Sequence, residues 1–203
     1  MSHAEATVFV VDDDFGVRNS TRWLVESEGL AVETFATAEE FLAAYDPSRP
    51  GCLVLDVRLL GSSMDGLELQ SELARREIVL PIIVVSAFAD VPVAVRALKA
   101  GAIDLLEKPF RDEDLLDRIL TAVANDAERR REEEAVAGVR ARMAQLTPRE
   151  REVLKMVVGG AQNKEIASAL GVSMKTVEVH RSRVMYKMQV EGVAELVRLV
   201  MLA

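Results

Sequence analysis

Val8-Phe9-Val10-Val11-Asp12-Asp13-Asp14 sets four apolar residues against three consecutive carboxylates. A short continuous apolar run with a polar end reads as a strand covered on both faces. Three more runs share the design. Leu53-Val54-Leu55 ends in Asp56, Ile82-Ile83-Val84-Val85 ends in Ser86, and Ile103-Asp104-Leu105-Leu106 leads through Glu107 to Lys108 and Pro109. A fifth strand run lies at 32–35. Helical patterns alternate with these strands at Phe15–Glu28, Ala38–Tyr45, Leu67–Arg75, Val91–Ala100 and Asp112–Ala124. That order predicts an α/β fold, a (βα)5 doubly wound parallel sheet. Parallel strands present their carboxyl ends at one edge, where ligands bind. Residues spread over most of the first half of the chain therefore converge into one pocket of carboxylates, a hydroxyl and an ammonium. Trp23 and Leu24 are expected on the apolar face of the first helix, Asp14 at its N-cap and Gly29 at its end.

The 203 residues suffice for one large or two small domains, and half of them are hydrophobic. No apolar run approaches the roughly 20 residues needed to span a bilayer. The opening Met1-Ser2-His3-Ala4-Glu5 lacks a basic and then apolar start, so no export signal is read and the cytoplasm is the expected compartment. One cysteine, Cys52, excludes an internal disulfide and is expected as a small buried hydrophobe. Charge is unevenly spread. Residues 1–125 hold 22 acids and 11 bases, residues 126–146 five of each, and residues 147–203 six acids and nine bases. An acidic module thus precedes a mildly basic one, a hint of nucleic-acid binding at the end.

Three segments follow from these patterns: 1–124, 125–145 and 146–203. In the middle segment Glu128–Glu134 is an unbroken charge run, followed by Val136, Val139, Met143 and Leu146 at helical spacing. This reads as a continuation of the fifth helix, first solvated and then offering a narrow apolar seam. It is either an exposed linker or a helix that pairs between subunits or passes movement between domains. The last segment reads as four helices. Thr147-Pro148-Arg149-Glu150 is a capping box with proline at the first helical position, Asn163 and Ser173 cap the next two helices, and Val193–Met201 forms the fourth.

The pocket residues suit phosphoryl transfer, which rests on positioning and on neutralising charge. Asp12 or Asp13 with Asp56 supplies the carboxylates that Mg²⁺ prefers, and the backbone carbonyl of Arg58 can add a ligand. Lys108 offers a positive charge and Ser86 a hydroxyl donor. Asp12-Asp13, Asp56, Ser86-Ala87 and Lys108-Pro109-Phe110 together resemble a response-regulator receiver domain, with Asp90-Val91-Pro92-Val93-Ala94 FixJ-like in particular. The resemblance implies that Asp56 accepts phosphate from a sensor histidine kinase while Asp12 and Asp13 organise Mg²⁺. It implies that Ser86 follows the phosphate and that Lys108 pairs with it through a cis bond to Pro109. Two departures stand out. Leu105 occupies the switch position where the family usually has an aromatic ring. The loop after Asp56 is longer, with Leu60 where FixJ-like chains usually have proline.

Ile166-Ala167, Leu170-Gly171 and Val172-Ser173 follow the logic of a helix-turn-helix: a small residue at the crossing, a glycine in the turn. The helix at about Met174–Met188 is expected to bury Val177, Val184 and Met188 and to turn Lys175, Glu178, Val179 and Ser182 outward. The stretch from Leu146 through Arg181 resembles the LuxR-type (NarL/FixJ) DNA-binding domain. By that resemblance Val179, Glu178 and Ser182 read bases in promoter DNA, while Lys164, Lys175, Thr176, Arg181, Arg183 and Lys187 hold phosphates. His180 fits an internal hydrogen bond as well as a DNA contact. The reading is a transcription regulator rather than an enzyme. It is phosphorylated on Asp56, forms a homodimer on activation, binds double-stranded DNA, has RNA polymerase as a further candidate partner and needs no membrane. A phosphate sink, or a signal-blind receiver with phosphorylation-independent binding, is the competing reading.

Overall fold

The computed structural model describes residues 6–87 and 90–203. The opening five residues, on which the absence of an export signal was read, lie outside them. The chain divides into two compact units, one ending at Arg130 and one spanning Arg131–Ala203.

The first unit carries strands β1 (Thr7–Val11), β2 (Ala31–Phe35), β3 (Gly51–Asp56), β4 (Ile82–Ser86) and β5 (Asp104–Glu107). All pairs are parallel, in the order β2-β1-β3-β4-β5. Helices α1 (Phe15–Ser27), α2 (Ala38–Ala44), α3 (Gly66–Arg75), α4 (Val91–Lys99) and α5 (Asp112–Ala144) alternate with them, the residues of α5 from Arg131 on belonging to the second unit. Strand alternation builds two cores. Phe9, Val11, Leu53, Leu55 and Val84 pack with Phe41, Leu69, Leu73 and Ala97 on the α2–α4 face. Val8, Val10, Cys52, Val54, Ile83 and Val85 pack with Val25, Leu115 and Ile119 on the α1–α5 face. The predicted sheet and its double cover are therefore present, and Cys52 is a buried free thiol.

Side-chain caps set the helix starts. Asp14, Thr37, Asp65 and Asp90 each accept an amide of the first turn of the following helix. Trp23 corrects the expectation for α1, being 68% exposed. The helix buries Thr21 and Val25, one turn apart, with Leu24 packed beside them; position 23 lies around the helix from that stripe.

The middle segment is helical as expected, but its charge run is not simply solvated. Asp126 is fully buried. It accepts from the Gly51 amide at 2.9 Å and from Arg130 Nε at 2.8 Å, and it pairs with Arg129. Arg130 also donates to the carbonyls of Pro47, Ser48 and Arg49. These bonds satisfy carbonyls that precede β3 and fix this part of α5 to the first unit. The apolar seam is used within the second unit: Val139 and Leu146 are buried and Met143 packs against the same core.

That second unit adds α6 (Pro148–Val158), α7 (Asn163–Leu170), α8 (Met174–Met188) and α9 (Val193–Met201). The Thr147 box closes as predicted, with Thr147 Oγ1 accepting from the Glu150 amide and Glu150 accepting from the Thr147 amide at 2.9 Å. Gln162 rather than Asn163 is the N-cap of α7. Glu165 reaches back to the Gln162 amide at 2.7 Å, while the Asn163 amide oxygen is taken by Arg181 at 2.8 Å. Gly171 ends α7 in the left-handed region at φ 64°, which accommodates the tight turn into α8.

Candidate functional site

The site forms where β1 and β3 lie side by side, the point at which strand order reverses. Asp12 follows β1, Asp56 ends β3, Ser86 ends β4 and Lys108 follows β5. Register explains the convergence, since Val11 pairs with Leu55, Asp56 with Val85, and Ser86 with Glu107. The Lys108 amide donates to the Ser86 carbonyl at 2.8 Å, so hydroxyl and ammonium come from two adjoining strand ends. The Lys108–Pro109 bond is cis, as the resemblance implied.

Lys108 Nζ bridges Asp12 Oδ2 at 2.6 Å and Asp56 Oδ2 at 2.5 Å. The Asp14 amide donates to Asp12 Oδ1 at 2.9 Å, and the Arg58 amide to Asp56 Oδ1 at 3.0 Å. Asp12 is 1% exposed, Asp56 8% and Ser86 3%. Burial pushes the Asp12 carboxyl up, against the opposing pull of Lys108. Burial opposes the charge on Lys108, yet its hydrogen bonds to Asp12 and Asp56 outweigh that and raise its pKa.

Asp12, Asp13 and Asp56 each offer a carboxylate oxygen, all within 4.8 Å of one another. Three carboxylates against one ammonium leave net negative charge. Such a set of hard oxygen donors fits Mg²⁺. Arg18, which drew no attention in the sequence, donates to the Asp12 carbonyl at 2.6 Å and braces the turn. Its only signal is its place one turn beyond the cap Asp14. Leu105 lies half-buried beside Val84 and packs against the core that includes Ala97 of α4. Arg58 is in the loop immediately after Asp56.

On the second unit, α8 buries Val177, Val184 and Met188. Lys175, Glu178, Val179, Ser182 and Arg183 are exposed on α8, and Lys164 is exposed on α7. Their spacing of three, one, three and one along α8 makes a single face. Thr176 is half-buried and engaged with Ser173. Arg181 is tied to Asn163. Lys187 Nζ lies 2.6 Å from the buried Glu150 carboxylate and donates to the Gln145 carbonyl, so its charge is neutralised inside the unit. Lys187, followed by the Thr147 amide, holds the Glu150 carboxyl below its usual range. His180 Nδ1 is buried, with no hydrogen-bond partner among the described residues.

No helix of the described residues is long and apolar enough to cross a membrane. The response regulator receiver domain family matches residues 8–120, and the luxR family of bacterial regulatory proteins matches residues 144–200. Nodulation protein W of Bradyrhizobium diazoefficiens is 45% identical over 195 residues, 96% of this chain and 85% of that protein. The transcriptional regulatory protein FixJ of Azorhizobium caulinodans is 46% identical over 196 residues, 97% of this chain and 92% of that protein. The solved structure of the response regulator StyR is similar at a TM-score of 0.91 and 45% identity, covering 97% of this chain and 98% of that one. With one family matched at each end and relatives similar along nearly its whole length, the chain belongs to the FixJ-like response regulators, a receiver domain followed by a LuxR-type DNA-binding domain.

Proposed function

We propose that Asp56 is the phosphoacceptor, that Asp12, Asp13 and the Arg58 carbonyl join it in holding Mg²⁺, and that Ser86 and Lys108 receive the phosphoryl group. The observation that carries this reading is the Lys108 ammonium bridging Asp12 and Asp56 beside a third carboxylate. An Asp56 carboxylate oxygen attacks the phosphorus of the kinase phosphohistidine. The P–N bond breaks, and its electron pair leaves with the imidazole nitrogen, which takes a proton. Bound Mg²⁺ supplies neutralisation of phosphoryl charge. Lys108 then exchanges Asp56 Oδ2 for a phosphoryl oxygen, and the Ser86 hydroxyl donates to another. Leu105 passes the change to α4 by repacking, in place of an aromatic rotamer. The protein acts in the cytoplasm as a transcription regulator, with RNA polymerase as a further partner.

Phosphorylation promotes a homodimer in this reading. Val91, Val95 and Leu98 of α4, spaced by four and three, are exposed at 76%, 42% and 51%, with Ile103 exposed beyond the helix. An apolar stripe of this kind favours protein contact. Leu98→Glu is expected to accept phosphate normally yet to stay monomeric on a sizing column. Normal dimerisation of the phosphorylated variant would remove the stripe from the interface.

On DNA, Lys175 and Arg183 contact phosphates and Glu178 and Val179 face base edges of the major groove. Arg181 and Thr176 act on the backbone with part of their hydrogen bonding already spent within the unit. Lys187 is assigned mainly to holding Glu150. Accordingly, Arg183→Ala weakens binding similarly for all duplexes and reduces the log–log salt slope by about 1. Glu178→Ala instead alters preference among duplexes selected from a randomised pool, by about 1–3 kcal/mol. Salt-independent binding would favour the phosphate-sink alternative.

A further inference from the structure

The longer loop after Asp56 is closed on itself and fastened at its far side. At its base the Gly66 amide donates to the Val57 carbonyl at 2.9 Å. Leu59 is buried in the α2–α4-side core and Met64 packs against the same core. Between them the Ser62 amide donates to the Leu59 carbonyl at 3.3 Å, and Gly61 takes φ 87°. That turn carries Ser62 and Ser63 back toward the first turn of α2. There the Ser62 hydroxyl donates to Glu39 Oε2 at 2.8 Å and the Ser63 amide to Glu39 Oε1 at 2.8 Å, with the Ser63 hydroxyl donating to the same carboxylate. Ser62 Oγ also accepts from the Ala38 amide at 3.3 Å. The hydroxyls of Ser63 and then Ser62 hold the Glu39 carboxyl down at about 2, so it is ionised at neutral pH.

At the near end of this loop the Arg58 amide donates to Asp56 Oδ1. We infer that Glu39 is a positioning residue for the phosphoryl site: by clasping Ser62 and Ser63 it holds the loop that carries Arg58, and thereby sets Mg²⁺ affinity and the lifetime of phosphate on Asp56. This rests on the proposed roles of Asp56 and Arg58. Decay of the acyl phosphate requires a water oxygen to attack phosphorus. The P–O bond to Asp56 then breaks, giving inorganic phosphate and the free carboxylate, with the water proton passing to phosphate or solvent. A clasped loop limits approach of that water and keeps the Arg58 backbone in place. Supporting groups around metal ligands are worth about 10–100-fold in affinity.

The test compares the full chain with Glu39→Ala, with Ser63→Ala, and with both changes together. Readouts are Mg²⁺ affinity by NMR titration, exchange of the Ser63 amide without metal, and loss of phosphate after loading with acetyl phosphate. Glu39→Ala is expected to weaken Mg²⁺ about tenfold, speed Ser63 exchange and shorten phosphate lifetime. The double variant should be no worse than Glu39→Ala alone, because it removes both ends of the bond between the Ser63 hydroxyl and Glu39. Glu40→Ala loses a different bond at the start of α2, from the Ala36 amide, and should leave Mg²⁺ affinity unchanged. Wild-type Mg²⁺ affinity in Glu39→Ala, or an equal loss in Glu40→Ala, overturns the inference. Failure of wild type to carry phosphate on Asp56 would instead reject the phosphoacceptor reading, and the Mg²⁺ and exchange data would still judge the clasp.

Discussion

Lys108→Ala loses about 3–5 kcal/mol of receiver stability at pH 7 in metal-free buffer, the usual cost of stranding buried charge. Lys108 bridges Asp12 and Asp56, and the Asp12 side chain is only 2% exposed. Without the ammonium these two carboxylates face each other beside Asp13 and lose the cation that bridges them. Burial already pushes the Asp12 carboxyl up, and loss of Lys108 removes the main group holding it down. The folded variant therefore binds protons more tightly than its unfolded chain. Its stability relative to wild type must rise as pH falls through the raised folded pKa, and the deficit is largest above it. Mg²⁺ should stabilise the variant more than wild type, because the cation meets uncompensated carboxylates. Denaturant unfolding at pH 7 and at lower pH, with and without Mg²⁺, reads all three effects. A variant as stable as wild type at pH 7 without metal would mean that Lys108 does not hold the carboxylates together.

Gly66→Ala acts through the backbone on Asp56, the proposed phosphoacceptor. A Cβ built on Gly66 would lie 2.0 Å from the Asp56 carbonyl oxygen, 2.9 Å from its carbon and 3.1 Å from Val57 Cα. None of these atoms belongs to a flexible side chain, so either α3 or the end of β3 must move. Overpacking of this sort costs about 1–3 kcal/mol. The larger effect falls on chemistry, since a displacement of about 1 Å at a reacting group can cost roughly 100-fold in rate. Phosphorylation from acetyl phosphate should therefore slow by about that factor while α8 still binds DNA nonspecifically. An unchanged phosphorylation rate would show that the Asp56 backbone can shift without cost.

The strand-end residues were legible because each stands where an apolar run stops, and a parallel sheet aligns such stops at one edge. Thr147–Glu150 and Ser173 were legible for a similar reason: a cap and its amides lie within one turn of sequence. What escaped reading joins residues far apart. Glu39 meets Ser62 and Ser63, Asp126 meets Gly51, and Glu150 meets Lys187. In each case tertiary packing creates the partner, and no spacing rule announces it. Arg130 lies within the charge run Glu128–Glu134, and composition does not reveal that it meets Asp126 and the carbonyls before β3. Residue type points Trp23 inward, but helical phase commits the buried stripe of α1 to Thr21 and Val25. The seam at Val139, Met143 and Leu146 had the correct period, but its occupant is the core of its own unit.

The most direct measurement is peptide mapping of the intact chain after incubation with acetyl phosphate and Mg²⁺, paired with DNA binding by the same sample. A single phosphoryl group on the peptide containing Asp56, with tighter DNA binding, is the predicted result, both effects being absent in Asp56→Asn. Phosphate on another residue, or equal DNA affinity of Asp56→Asn and phosphorylated wild type, would contradict the account.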